Sequence, residues 1–242
     1  MNSKELHHFY DTENGHIVRC LIGRQVIRNW KNISSGDIFL AFGYGLPYLN
    51  YFLKKTAYCF DLVPKEMGAA SWKCSRGDSR KNKPQITLVN PIRWSFANNA
   101  ATHLLMIHGM EFFQYPEKCL EEAWRVLNPS GELMLVIPNK YSPWMYIKNG
   151  LPGKEIDYSY LQIYQMLEHS GFDVVKTQGA VYFLPCLYKN NPTKEGVFAH
   201  IGKKLLNWWP GFWIITAKKK SLQTLPLVKK KYKPSLKLQL KT

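Results

Sequence analysis

Short, continuously apolar runs recur along the chain, and between them apolar residues fall at helical spacing. DIFLAFG (37–43), TAYCFD (56–61), QITLVN (85–90), THLLMIHGME (102–111), ELMLVIPN (132–139), DVVKTQGAVYFLP (173–185) and FWIITAKKK (212–220) read as seven strands. Most of them do not alternate apolar with polar residues, which predicts strands buried on both faces, as in a parallel sheet. The second is expected to end at Asp61, and Gly179 interrupts the sixth.

The intervening segments carry the other periodicity. In GHIVRCLIGRQVIRNW (15–30), Ile17, Cys20, Leu21, Arg24, Ile27 and Arg28 recur at helical spacing, so an apolar stripe would face the core and the arginines water. SSGD (34–37) breaks that helix. GLPYLNYFLKK holds a helix with Pro47 in its first turn, where the missing N–H has no helical partner to lose. In EKCLEEAWRVLNPSG (117–131), Leu120, Ala123, Trp124 and Leu127 share a face, and Asn128-Pro129-Ser130-Gly131 stops the helix. YSYLQIYQMLEHSGF (158–172) is a further amphipathic helix, closed by Gly171. Residues 62–85 are turn-rich and basic, and no internal repeat is present. Strands alternating with helices predict an α/β fold, a mainly parallel seven-stranded sheet with helices on both faces. The 242 residues suit one domain over 1–220, with a helical segment at about 1–35, and a tail over 221–242.

Composition narrows the classes. Hydrophobic residues make up 45% and charged residues 21%, enough to bury a core. The opening MNSKELHHFYDTE is polar, without the apolar stretch of a secretory signal. No apolar run approaches the roughly 18 residues of a membrane span. Cys20, Cys59, Cys74, Cys119 and Cys186 are widely spaced, with no zinc-ligand pattern, so they read as reduced thiols and no metal is expected. Together these predict a cytoplasmic protein. The net charge of +16 is uneven, since eleven lysines and no acids follow Glu195. Such a tail suits contact with nucleic acid or an anionic membrane, or simply solvation.

In a parallel sheet, ligands sit beyond the carboxyl ends of the strands, where the winding reverses. Four positions converge there: Gly43-Tyr44-Gly45 after the first strand, Asp61 after the second, Asn90 after the third and His108 after the fourth. A lone Gly-x-Gly more often marks a tight turn than a site, and Asp61 and Asn90 also suit turns before prolines. The order of these pieces resembles the class I S-adenosylmethionine-dependent methyltransferases, of Rossmann-like fold, over about residues 10 to 220. The details are closest to an alphaproteobacterial-type group. DIFLAFGYG resembles the family's glycine loop, LVNPIRWSFANNAATHLLMIHGMEF its adenine-side loop and fourth strand, and EEAWRVLNPSGELMLVIPN its helix, turn and fifth strand.

The resemblance implies that S-adenosylmethionine lies against Gly43, Tyr44 and Gly45. It implies Asp61 and Leu62 at the ribose, Asn90, Pro91 and Ile92 at the adenine, and His108 near the reacting centre. His108 is the candidate proton acceptor, although methyl transfer needs a base only when the acceptor carries a proton. Glu111 is read as starting the next helix. Tyr141, Trp144, Tyr146 and Tyr158 follow the fifth strand and would cover an apolar or planar acceptor. The chain departs from the family at Ala41-Phe42, where many members place an acid. HGMEF stands where base and glutamine methylating enzymes carry Asn/Asp-Pro-Pro-aromatic, which favours a small-molecule acceptor. Two other classes stay open: a degenerate binding protein working through its basic tail, and a nicotinamide enzyme. The latter needs Gly-x-Gly-x-x-Gly, which Leu46-Pro47-Tyr48 does not supply. The oligomeric state is not legible.

Overall fold

The structure is a computed structural model that describes residues 3–56, 58–67, 84–110, 113, 115–142, 158–182 and 209–220. Seven strands, β1 (Ile38–Gly43), β2 (Tyr58–Pro64), β3 (Gln85–Val89), β4 (Ala101–Ile107), β5 (Leu127–Pro138), β6 (Phe172–Ala180) and β7 (Phe212–Lys219), form one sheet in the order β3-β2-β1-β4-β5-β7-β6. β7 runs antiparallel between β5 and β6, and the remaining pairs are parallel. From β1 the chain winds to β2 and β3, then returns to add β4 on β1's other side. The reversal therefore lies between β1 and β4.

Among the described residues, five helices cover the two faces: α1 (Ser3–Asp11), α2 (Glu13–Asn29), α3 (Leu46–Phe52), α4 (Pro116–Val126) and α5 (Tyr160–His169). Successive strand side chains point to opposite faces, so an unbroken apolar strand serves two cores at once. Phe39 and Ala41 of β1 pack with α1, α2 and α3, whereas Leu40 and Phe42 pack with α4 and α5.

Several elements differ from the sequence expectation. The helical segment expected at about 1–35 is two helices, and α1, in the polar N-terminus, buries Leu6, Phe9 and Tyr10. The α2 stripe is Val18, Leu21, Ile22 and Val26, with Cys20 exposed and Ile17 and Ile27 half-buried. Its start is fixed by the Thr12 hydroxyl oxygen, which accepts the Gly15 N–H at 3.1 Å. β2 does not end at Asp61 but continues to Pro64, because Leu62, Val63 and Pro64 keep pairing with β3. α4 stops at Val126, and Asn128-Pro129-Ser130-Gly131 belongs to β5: Leu127 already pairs with Ala101, ahead of a register shift. β6 runs unbroken through Gly179, which pairs with Trp213.

Gly171 does close α5, at φ +83°, and the Trp124 indole N–H donates to its carbonyl at 3.0 Å. Glu122 anchors α4. It is buried, accepts the Trp94 N–H at 2.6 Å and holds Arg125 through both oxygens. Lys218, Lys219 and Lys220 are part of the fold: Lys218 pairs with Glu132, Lys220 with Asp173, and Lys219 lies 3.8 Å over the Trp124 ring. Glu111, Trp144, Tyr146, Cys74, Cys186 and the tail 221–242 lie outside the described residues. No helix among those described is long and apolar enough to cross a membrane.

Candidate functional site

The turn after β1 is dictated by packing. Gly43 has φ +90°, a conformation glycine adopts freely, and an added Cβ would stand 2.3 Å from the Ile107 carbonyl oxygen. That carbonyl accepts the Tyr44 N–H at 2.7 Å, tying the end of β1 to the end of β4. A Cβ on Gly45 would stand 2.2 Å from the Ala41 Cβ and 3.0 Å from Asp61 Oδ1. Both glycines are thus required by the protein's own contacts, whatever the loop binds.

Asp61 carries the unusual chemistry. It lies opposite Ala41 of β1 and Ile86 of β3, three residues before the end of β2, and its carboxylate sits against the Gly45 turn. It is 1% exposed, and neither carboxylate oxygen has a hydrogen-bond partner among the described residues. Burial pushes its pKa up to about 8. A buried polar group without a partner is costly, so such a carboxylate is a pair of acceptors awaiting donors. Two vicinal hydroxyls fit that need.

The other expected residues separate. Asn90 is exposed at the end of β3, and its Oδ1 accepts the Ile92 N–H at 3.1 Å, the local turn that its place before Pro91 allowed. One lone pair of that oxygen remains for a second donor. Pro91 is buried, and its carbonyl accepts the Trp94 indole N–H. Ile92 presents an apolar surface at 48% exposure. The Leu62 side chain is fully buried with Leu40, Phe42 and Val89, on the face of the sheet opposite Asp61.

His108 follows β4 in the left-handed region, at φ +51°, fully buried. Its Nε2 is hydrogen-bonded to the Tyr10 hydroxyl at 2.7 Å. The Tyr10 ring stacks on Tyr44 at 4.6 Å, and Tyr44 is 3% exposed, its phenol pushed up by burial. Aromatics of the protein therefore fill the space at the ends of β1 and β4, with α1 supplying the outermost. Asp61 is itself 1% exposed, so a ligand reaches its carboxylate only if neighbouring groups move. Tyr10 was invisible in the sequence because it stands in a polar segment far from every strand end. Among the described residues no three His, Cys, Asp or Glu side chains gather as metal ligands.

Residues 40–135 match the family described as a methyltransferase domain. No curated protein matches the chain at a significant level. Solved structures share the fold at low identity. A SAM-dependent methyltransferase from Aquifex aeolicus is 16% identical, with 90% of this chain and 99% of that one covered, at TM-score 0.59. One from Mesorhizobium loti is 11% identical, with 81% and 96% covered, at TM-score 0.53. The [4+2]-cyclase SpnF is 15% identical, with 82% and 80% covered, at TM-score 0.57, so the fold alone does not fix the reaction. The matched domain over residues 40–135, together with the strand order, makes the chain similar to the class I methyltransferases, whose cofactor is S-adenosylmethionine.

Proposed function

We propose that the protein transfers a methyl group from S-adenosylmethionine to a small-molecule acceptor at the carboxyl edge of its sheet. The observation that carries this reading is Asp61, a buried carboxylate beside the Gly45 turn with both oxygens unpartnered among the described residues. When bound, the cofactor supplies a sulfonium methyl, which passes to the acceptor's lone pair while the S–CH3 electrons stay on sulfur. Asp61 accepts the ribose hydroxyls. The Gly43-Tyr44-Gly45 backbone lies alongside, Asn90 accepts the adenine amine, and Pro91 and Ile92 border the ring. Leu62 supports Asp61 from the opposite face. His108 takes the acceptor's proton where it has one, and Tyr10 positions that ring. Much of the acceleration in an in-line transfer comes from orientation, which such a closed cover supplies.

Titration calorimetry with S-adenosylhomocysteine tests the reading. Saturable binding is expected for the native chain, at least tenfold weaker in Asp61→Ala, about the loss of one charge-assisted hydrogen bond. Gly43→Arg is unsuitable as a probe, because its Cβ would already meet the Ile107 carbonyl. No binding up to about 1 mM leaves a second reading, a methyltransferase fold retained for binding. The closed aromatic cover and Ala41, standing where many members carry an acid, favour that alternative.

A further inference from the structure

We propose that a cavity on the β6 side of the sheet binds the methyl acceptor through an anionic group, so that the substrate is a planar or aromatic carboxylate or phosphate. That this ligand is the methyl acceptor rests on the function proposed above. The binding site does not.

The cavity measures about 900 Å³, near the upper end for small-molecule sites. It is built at the same sheet edge as the Gly43 turn. Asn139, just past β5, donates from Nδ2 to the Pro210 carbonyl at 3.0 Å and so fixes the end of β5 to the start of β7. Gly179 of β6 and Trp213 of β7 continue the wall. Neighbouring strands lie about 4.8 Å apart, so the β5–β7–β6 wall stands roughly 10–19 Å from β1. Asp61 lies one strand to the other side of β1. A donor held at Asp61 and an acceptor held in this cavity therefore approach the end of β4 from opposite sides.

Its charge is one-sided. Arg28 of α2 and Lys176 of β6 both line it, and no carboxylate does among the described residues. Arg28 makes no ion pair there, and Lys176 donates only to a neutral amide, Asn29 Oδ1, at 2.9 Å. Asn29 in turn donates to Gln178 Oε1 at 2.9 Å, so one side chain holds the end of α2 against the edge strand and keeps Lys176 at the cavity. The ten-residue α5 begins there too, adding the positive end of its dipole. Two exposed cations on a chain of +16 would ordinarily be solvated surface. Here they share a concave site with a tilted Tyr160–Trp213 pair at 5.2 Å, which offers ring faces for a planar group.

Calorimetry on the full chain with 4-hydroxybenzoate, phenyl phosphate and the neutral 4-hydroxybenzamide tests this. At least one anion is expected to bind about tenfold tighter than the amide, the worth of a charge-assisted contact. The Arg28→Gln/Lys176→Gln variant is expected to lose that preference and to keep its affinity for S-adenosylhomocysteine. Both side chains are exposed, so the variant should melt with the native chain. Whichever anion wins separates a carboxylate from a phosphate substrate. Equal binding of acid and amide, an unchanged preference in the variant, or no anion binding up to about 10 mM overturns the proposal. Anion binding without S-adenosylhomocysteine binding sinks the methyltransferase reading and keeps the site. The reverse result sinks the site alone.

Discussion

Asp61 was legible as an acid closing an apolar run, but its depth was not. The sequence places it at a strand end, whereas pairing with β3 carries β2 three residues further and buries the carboxylate beneath the Gly45 turn. That depth has a consequence for stability. The unfolded carboxyl ionises near 3.8 and the buried one near 8. Between those values the folded state holds more protons, so this group makes the ligand-free protein less stable as pH rises. At about 1.36 kcal/mol per unit, the contribution approaches 4 kcal/mol between pH 4 and 7. Asp61→Asn abolishes the titration. Its melting temperature relative to the native chain should climb steadily from pH 4 to 8, and a difference independent of pH would refute the assignment. Ribose hydroxyls favour the ionised carboxylate, so S-adenosylhomocysteine should release a proton near pH 7. Calorimetry in buffers of different ionisation heat detects that release, and Asp61→Asn should not show it.

At the scale of elements, the five inner strands were legible because burial on both faces demands unbroken apolar runs, whereas the edge strands β3 and β6 are largely not buried and offered only shorter apolar runs. Boundaries were lost where pairing overrides local chemistry. Asn128-Pro129-Ser130-Gly131 is a turn signal that the Ala101–Leu127 pairing draws into β5. Within the helical segment expected at about 1–35, α1 was not legible as a separate helix, because only Leu6, Phe9 and Tyr10 of its nine residues are known to be buried, among lysine, glutamate and histidines. Yet α1 covers the ends of β1 and β4 through Tyr10. Tyr10→Phe keeps the ring on Tyr44 and removes the bond to His108. It should destabilise the ligand-free chain by about 1–3 kcal/mol, the range for a buried hydrogen bond lost on one side. If the cofactor requires this cover to open, a weaker closed state raises apparent affinity, because the competent fraction grows. S-adenosylhomocysteine should then bind several-fold tighter to Tyr10→Phe, with faster amide exchange across α1. Weaker binding would instead make α1 a clamp on the bound ligand.

For the whole molecule, alternation of the two periodicities was enough to indicate the architecture, and the antiparallel β7 was the part it did not reveal. An antiparallel strand buried on both faces reads like its parallel neighbours. The charge asymmetry needs the structure to be divided correctly. Lys218, Lys219 and Lys220 look like the start of the basic tail, but each contacts a residue of the fold, and Lys219 also donates to the Leu127 carbonyl. A truncation that removes them damages β7 and says nothing of the tail. The informative cut follows Lys220 and removes Lys229, Lys230, Lys231, Lys233, Lys237 and Lys241. A chain ending there should melt with the full protein. If the tail contacts nucleic acid, the full chain should bind a nonspecific duplex with a log–log salt slope no steeper than about −5, the limit for six phosphate contacts, and the truncated chain should lose that binding. Vesicles carrying anionic lipid provide the parallel arm for a membrane surface. Equal binding before and after truncation would move the contact onto the folded domain, where Arg28 and Lys176 are the first cations to replace.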